Sequence, residues 1–266
     1  MTLPTHGRYD YSNITKRPDY TWPNGARLAV YVAINIEAFG FGVGKGVAIA
    51  PPDQAMSASV YSWRDYGNRV GVWRLFDLFD ELNLPVEAQL NLEVYEAAPD
   101  IAERLRKRGD EIVGHGVTNS EGQEHMLPDE ERAMIARVTA TIEKHEGRRP
   151  IGWMSPWLSN SPVTLDLLQE AGYRYTMDWT MDDQPVWLRT RGGRLLDELL
   201  RQSARQPLVC PISLHPFVVG RPYRLPQLRR ALEHVTRHRD RIWLTRPGEI
   251  CAHIESLPRG VVPGGA

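Results

Sequence analysis

Cysteine is scarce in this chain: Cys210 and Cys251 are the only two in 266 residues. Two widely spaced thiols do not make a disulfide framework, so both are predicted to be reduced. An excess of one charge is also missing, because 32 Lys and Arg stand against 33 Asp and Glu without a basic block. This balance argues against a nucleic-acid or anionic-membrane partner.

Long apolar runs are missing as well. The longest, residues 28–34, is far too short to span a bilayer. The start, MTLPTHGRYD, has neither the basic nor the apolar region of a secretory signal. We therefore predict a cytoplasmic protein. Phenylalanine is rare, with 5 residues beside 8 Trp and 10 Tyr. An excess of Trp and Tyr suits a cleft that binds rings or sugars.

Strands and helices are predicted to alternate along the chain. Near-continuous apolar runs predict buried strands, and apolar residues at helical spacing predict helices. The predicted strands are 27–35, 85–90, 112–113, 151–154, 174–178, 185–188, 208–214 and 242–244. The main predicted helices are 66–83, 128–145, 161–172, 195–203, 225–238 and 247–254. This rhythm predicts βαβ units and a parallel sheet, and we expect the sheet to close into a barrel because the dinucleotide fingerprint is absent.

The chain is predicted to divide into three parts. An extended arm (1–25), rich in Pro, Tyr, Asn and Gly, precedes a single catalytic barrel (26–256) and a flexible tail (257–266). Alternating glycines between residues 40 and 46 predict a mobile loop that borders a site. A phosphate-binding loop is the rival interpretation, but Lys45 is not followed by Ser or Thr.

Polar side chains gather where the predicted strands end. In DEIVGHGVTNSEGQ, an apolar pair runs into Gly114 and is followed by His115, Asn119 and Glu121. Glu37 follows the first strand, and His215 follows strand 208–214. The carboxyl ends of barrel strands carry the chemistry in α/β barrels. Further candidates are Arg69, Trp157, Trp179, Asp182 and Arg221, and the whole constellation suits hydrolysis.

Each candidate also has a purely structural interpretation. Glu37 could form a salt bridge with Arg69, and His115 or His215 could bond backbone groups in the core. Asp182 could be a turn former. Trp157 and Trp179 could pack inside the barrel instead of stacking on a sugar.

Several segments together resemble the polysaccharide deacetylases of the NodB-homology type, and most of all the branch with the metal-independent allantoinase and cyclic-imide hydrolases. The resemblance covers residues 19–254. It implies a distorted (β/α)7 barrel, an enzyme that hydrolyses non-peptide C–N bonds, and a homo-oligomer. The segments are WPNGARLAVYVAINIE, YGNRVGVWRLFDLF, EIVGHGVTN, RRPIGW, AGYRYTMDWTMDDQP and LHPFVVGRP.

The match to the family's site motifs is incomplete. Where the family has Thr-Phe-Asp-Asp, this chain has Ile-Asn-Ile-Glu, so Asn35 replaces the base and Glu37 replaces a metal ligand. The family's histidine pair becomes His115 and Asn119, and Asn is a poor ligand for a transition metal. Met-Ser-Pro-Trp at 154–157 stands in place of the third motif's Arg, while the late histidine is kept as His215.

The resemblance therefore implies a specific chemistry. We expect ring opening of a small, allantoin-like cyclic amide or imide, with water activated by Glu37 or His115 and the departing nitrogen protonated by His215. Arg69, Asn119 or a backbone N–H would support the oxyanion. The expected substrate-binding residues are Trp157, Trp179, Asp182, Glu121 and Arg221.

Cofactor and partners follow from the same resemblance. We expect either no tightly bound cofactor or a single zinc ion at Glu37 and His115, and a small molecule as the only ligand. Two alternatives stay open: a metal-dependent deacetylase of N-acetylated polysaccharides, and a non-catalytic barrel that binds carbohydrate.

Overall fold

The computed structural model describes residues 5–46, 57–197 and 207–264, which form an α/β fold with one curled sheet. Its strands are β1 (Leu28–Ile36), β2 (Val86–Leu90), β3 (Glu111–Gly114), β4 (Gly152–Trp153), β5 (Tyr175–Thr176), β6 (Val186–Thr190), β7 (Gly193–Asp197), β8 (Leu208–Leu214) and β9 (Trp243–Leu244). Its helices are α1 (Ala58–Tyr66), α2 (Val72–Glu81), α3 (Val94–Ala97), α4 (Pro99–Arg108), α5 (Pro128–Glu146), α6 (Thr164–Glu170), α7 (Pro216–Val219), α8 (Leu225–Thr236) and α9 (Pro247–Ser256).

The sheet runs in the order β6-β7-β5-β4-β3-β2-β1-β8, and β9 also pairs with β1. All pairs are parallel except β6 with β7. Side chains on eight of the nine β1 residues are buried, because strands on both sides and helices on the outer face cover it. The core lies between the sheet and its outer helices, with Phe76 and Phe79 of α2 fully buried.

The two sides of the curled sheet meet through a loop instead of through a strand pair. The backbone N–H of Val209 in β8 donates to the carbonyl of Asp183, just before β6, at 3.4 Å. Gln184 Nε2 donates to the carbonyl of Pro207 at 3.0 Å. The predicted distorted barrel is thus confirmed as a curled parallel half-barrel.

One predicted helix is wrong. Residues 193–197, expected to begin a helix over 195–203, form β7 and pair with β6 in antiparallel register, Thr190 opposite Gly193. Arg191 and Gly192 make the two-residue connection of a β-hairpin, a turn signal that outweighs the helical spacing of the leucines. Residues 198–203 lie outside the described part of the chain. The hairpin brings the described strands to nine, where seven or eight were expected.

The predicted helix 66–83 begins earlier and is not uniform. It starts at Ala58, where the Ser57 side chain accepts from the N–H of Val60 at 3.4 Å. A π-helical turn, Gly67–Gly71, joins α1 to α2. Such bulges occur frequently at functional sites.

Described residues near each end of the chain lie against the barrel. Arg17 in the arm forms a bidentate pair with Asp182, at 2.6 and 2.7 Å, and Arg8 pairs with Asp166 at 2.8 Å. Near the other end, Val262 is buried and the carbonyl of Pro263 accepts from Trp187 N–H at 3.0 Å. The division into arm, barrel and flexible tail stays a prediction.

Cys210 and Cys251 form no disulfide within the described part of the chain. No helix in the described ranges combines the length and apolar character needed to cross a membrane.

Candidate active site

The register of the sheet brings the polar side chains together at one edge. Ile36 pairs with Leu90, and Leu90 with Gly114, so the residues that follow, Glu37, Asn91 and His115, leave the sheet at the same level. His215 follows β8 on the other side of β1. Glu37 Oε1 lies 3.5 Å from His215 Nε2 and 4.0 Å from His115 Nε2. The three residues predicted to carry the chemistry therefore meet at one carboxylate oxygen.

Two buried amides hold that carboxylate in place. The N–H of Ala38 donates to Asn91 Oδ1 at 2.8 Å, which turns the Asn91 amino group toward Asn119 Oδ1 at 3.0 Å. Asn119 Nδ2 then donates to Glu37 Oε1 at 2.6 Å. Because the relay starts at a backbone N–H, which can only donate, the orientation of both amides is fixed. Asn119 thus supports Glu37 through one N–H of its amide.

His115 is held as a neutral base. Its Nδ1 lies 2.7 Å from the carbonyl of Met154, and a carbonyl only accepts, so Nδ1 carries the proton and Nε2 a lone pair. Burial lowers the pKa of His115, although Glu37 acts in the opposite direction. His115 Nε2 is buried and has no hydrogen-bond partner among the described residues. Its lone pair is therefore available to a ligand.

A glycine and a buried carboxylate position His115. At Gly114 an added Cβ would lie 2.7 Å from the Trp153 ring, too close for any larger residue. Asp178 accepts from the N–H and the hydroxyl of Ser155, at 2.6 and 2.9 Å, and so fixes the chain next to the Met154 carbonyl. Burial raises the pKa of Asp178, while its hydrogen bonds to Ser155 oppose the rise.

His215 is the more exposed of the two histidines. Its side chain is 41 % exposed, whereas that of Glu37 is 7 % exposed. It occupies the position before α7, and Phe217 in α7 packs its ring 5.4 Å from the imidazole. Asn35, which replaces the family's base, bonds Ser213 Oγ at 3.0 Å and so ties β1 to β8 beneath His215. The His215 side chain is therefore placed to contact both Glu37 and a ligand.

Aromatic rings form the mouth of the site around Arg64 of α1. The guanidinium carbon of Arg64 lies 4.2 Å from the Phe39 ring centroid, 5.4 Å from Trp157 and 5.7 Å from Phe217. Trp157, 45 % exposed, donates from Nε1 to the carbonyl of Asn119 at 2.8 Å. Trp157 has a φ of 62°, a left-handed conformation that is uncommon for a bulky residue and is found at functional sites.

Three of the predicted site residues are placed in other contacts, and a fourth is exposed. Arg69 is 74 % exposed and pairs with Asp65 at 3.7 Å, so neither the predicted catalytic role nor a salt bridge to Glu37 fits its position. Asp182 uses both carboxylate oxygens on Arg17, and Trp179 packs against His6 and Tyr9 of the arm. Glu121 is exposed on the loop after β3.

Arg221, also expected to bind substrate, instead supports the mouth from behind. It stacks 3.6 Å from the Tyr66 ring centroid. Its guanidinium donates to the carbonyls of Phe217 and Trp63, at 3.3 and 3.5 Å. These contacts fix α1 to α7.

Two residues at the site were not predicted. Asn91 is a polar residue directly after a strand, the same signal that identified Glu37 and His115, and it could have been found. Arg64 carries no such signal, because it lies on a helix and reaches the site only through the packing of α1 on α7.

The donor atoms do not fit a zinc ion with three protein ligands. Asn119 stands where the family has a second histidine, and its carbonyl oxygen, the atom that could bind a metal, accepts from Asn91 Nδ2 at 3.0 Å. No three His, Cys, Asp or Glu side chains within residues 5–46, 57–197 and 207–264 are placed to hold a metal ion.

Comparison with known proteins agrees with this fold. The Puue allantoinase structure superposes with a TM-score of 0.79 at 23 % identity, over 93 % of this chain and 98 % of that one. A Schizosaccharomyces pombe protein whose name places it among polysaccharide deacetylases is 21 % identical over 86 % of this chain and 90 % of its own length. The peptidoglycan deacetylase of Helicobacter pylori is 26 % identical over 47 % of this chain but 42 % of its own length.

Residues 54–176 also match the sequence model of the family described as polysaccharide deacetylase. Over these residues, a little under half of its length, the chain is thus similar to the polysaccharide deacetylases, which are hydrolases that act on C–N bonds.

Proposed function

We propose that this protein opens the ring of a small cyclic amide or imide with water. The observation that carries the proposal is the single oxygen, Glu37 Oε1, that lies 3.5 Å from His215 Nε2 and 4.0 Å from His115 Nε2. A carboxylate between two imidazoles, one buried and neutral and one near solvent, supplies a base and an acid for hydrolysis. The fold shared with an allantoinase supports this reaction class.

The reaction proceeds in two proton transfers. The oxygen of water attacks the ring carbonyl carbon while its proton passes to Glu37, and His115 Nε2 accepts a hydrogen bond from the same water. The C–N bond then breaks, and the nitrogen takes a proton from His215. The proton held by Glu37 passes across 3.5 Å to His215 and restores both groups. An imide suits this site because its departing nitrogen is a good leaving group.

The second candidate is a deacetylase of N-acetylated sugars. The peptidoglycan deacetylase relative favours it. Against it stand Asn35 and Asn119, which occupy the places of the family's base and second histidine and are used in hydrogen bonds within the protein. Trp157 at the mouth would serve either substrate.

The experiment is a turnover assay with hydantoin, dihydrouracil, succinimide and allantoin beside N-acetylglucosamine oligomers. We expect hydrolysis of at least one cyclic compound and none of the sugars. Glu37→Gln and His215→Ala should each lower kcat by about 10²- to 10⁴-fold, the usual contribution of a general acid or base.

The variants need a matched control. Glu103→Gln changes an exposed carboxylate on α4 and should leave kcat unchanged. Full turnover by both site variants would refute the roles of Glu37 and His215. Release of acetate from the sugars, with no ring opening, would replace the proposal with the second candidate.

A further inference from the structure

Arg64 lies at the mouth of the site, and the proposed reaction gives it no role. Its Nε is buried and has no hydrogen-bond partner, and no ion pair to its guanidinium is found within residues 5–46, 57–197 and 207–264. A buried charge normally has a partner, because removing it from water is costly. Arg64 is half-buried, so its guanidinium is partly shielded from water, and a bound anion would supply the ion-pair partner that the described residues do not.

The rings around Arg64 decide what kind of ligand that is. Phe39, Trp157 and Phe217 lie 4.2 to 5.7 Å from the guanidinium carbon and cover it with apolar surface. Ring contacts stabilise the cation but leave its N–H groups without acceptors. A guanidinium presents these donors as a planar fork, which matches a carboxylate.

Arg64 also lies at a useful distance from the reacting groups. Glu37 acts on its charge electrostatically, yet no N–O distance between them is within 4 Å. Phe217 contacts both Arg64 and His215, and Trp157 contacts both Arg64 and the Asn119 carbonyl. A substrate held at Arg64 by one group would therefore present another group to Glu37.

We propose that Arg64 selects the substrate by binding a carboxylate that the cyclic amide or imide carries as a substituent. This inference rests on the proposed reaction and narrows its substrate class to acidic ring compounds. Arg64 is a specificity-determining residue in this scheme, and Arg221 holds its surroundings by joining α1 to α7. Neutral rings would bind without balancing the charge.

The test compares two nearly isosteric substrates, hydantoin-5-acetate and hydantoin-5-acetamide. The wild type should prefer the acid in kcat/KM by about 10- to 100-fold, as charged hydrogen bonds contribute. In Arg64→Gln the preference should fall to about 1, mainly through KM, while Arg64→Lys keeps part of it. The matched control is Arg229→Gln, which removes an α8 charge paired with Glu81 and should keep the full preference.

A binding measurement separates this inference from the reaction. Quenching of tryptophan fluorescence by hydantoin-5-acetate, which needs no turnover, should be lost in Arg64→Gln and kept in Arg229→Gln. If neither compound is hydrolysed but this binding depends on Arg64, the reaction fails and the carboxylate site stands. Equal kcat/KM for the two compounds in the wild type, or an unchanged preference in Arg64→Gln, overturns the inference and leaves the reaction intact. If Arg64→Gln does not fold, Arg64→Lys and the wild-type ratio decide.

Discussion

The orientation of two buried amides fixes the position of the Glu37 carboxylate. Asn91 and Asn119 can each donate or accept, but the backbone N–H of Ala38 fixes the direction from one end. At the other end Asn119 Nδ2 donates to Glu37 Oε1 and so fixes the position of that oxygen. Asn119, which stands where the family has a metal-binding histidine, thus holds Glu37 in place.

A second buried carboxylate, that of Glu87, affects the stability of the fold. Glu87 in β2 is fully buried, its Oε1 has no hydrogen-bond partner among the described residues, and Gln89 Nε2 lies 3.5 Å from its Oε2. Burial, and then the charge of Glu111 on β3, raise the pKa of Glu87 well above its ordinary value of 4.5. The native state therefore binds this proton more tightly than the unfolded chain does.

The sign of the pH dependence follows. The stability that Glu87 contributes is complete below pH 4.5 and is lost as the pH rises through its native-state pKa. Glu87→Gln should raise the free energy of unfolding at pH 8 by about 1 kcal/mol, and the gain should vanish near pH 4.5. Thermal unfolding at both pH values checks this, with Glu103→Gln as the exposed control. A constant difference at all pH values would contradict it.

The site residues that the sequence predicts are those that directly follow a strand of the parallel sheet. Glu37, His115 and His215 each follow a strand, so their convergence follows from the parallel arrangement itself. Arg69 was chosen because it opens a predicted helix, but a helix places only one face toward the site. Arg64, five residues earlier, reaches the mouth instead, and the sequence has no periodic signal for that choice.

At the scale of elements, the π-helical turn and α7 are packed backbone against backbone. A Cβ at Gly71 would lie 2.2 Å from the carbonyl oxygen of Pro216, the residue after His215. Gly71 has an ordinary helical φ of −62°, so its requirement is for space and not for conformation. Because residue 71 is glycine, α1 and α2 can lie close to the segment that carries His215.

Gly71→Ala should therefore harm the protein although alanine favours helices. The clash costs about 1–3 kcal/mol, more than the roughly 1 kcal/mol gained in helix propensity. Displacement of His215 should also lower kcat by about 10- to 100-fold. Urea unfolding and turnover measure the two effects, and Ser62→Ala on the exposed face of α1 is the control. A more stable, fully active Gly71→Ala would contradict the close packing.

Elements were predicted well where the apolar pattern is long and poorly where turns decide. Strand 208–214 was predicted to the residue, since seven nearly continuous apolar positions leave no other interpretation. The spacing of Leu195 and Leu196 fits either a helix or a strand, so it does not predict the β6–β7 hairpin. The turn at Arg191 and Gly192 decides between the two. The π turn has no signal in composition or spacing.

On the scale of the whole molecule, the arm is anchored through ion pairs to the loops that close the curled sheet. The side chains of Arg17 and Asp182 are only 5 % and 14 % exposed, so each needs the other. Asp182 also accepts from the N–H of Gln184, whose side chain bonds to Pro207 next to β8. Loss of the pair should therefore loosen the closure as well as the arm.

A double-mutant cycle tests this anchor. Asp182→Leu alone should lower the free energy of unfolding by about 3 kcal/mol, because Arg17 is left buried without its partner. Arg17→Met with Asp182→Leu should lose less than the two single changes together. Urea unfolding of all four proteins gives the coupling energy. Strictly additive losses would mean that the contact contributes nothing, and substrate binding by Asp182 would regain support.

Residence in the cytoplasm and assembly into a homo-oligomer stay predictions at this scale. The first rests on the sequence and the second on the family resemblance, and contacts within one chain test neither.

The pairing of β1 with β8 affects how the protein folds while it is being synthesised. Glu37 follows the first strand, but His215 follows the neighbouring strand, which is synthesised much later. Contacts between segments so distant in sequence are slow to form. A nascent chain that has not yet reached β8 would therefore hold Glu37 without His215, and the two side chains could meet only after the units between them have been made.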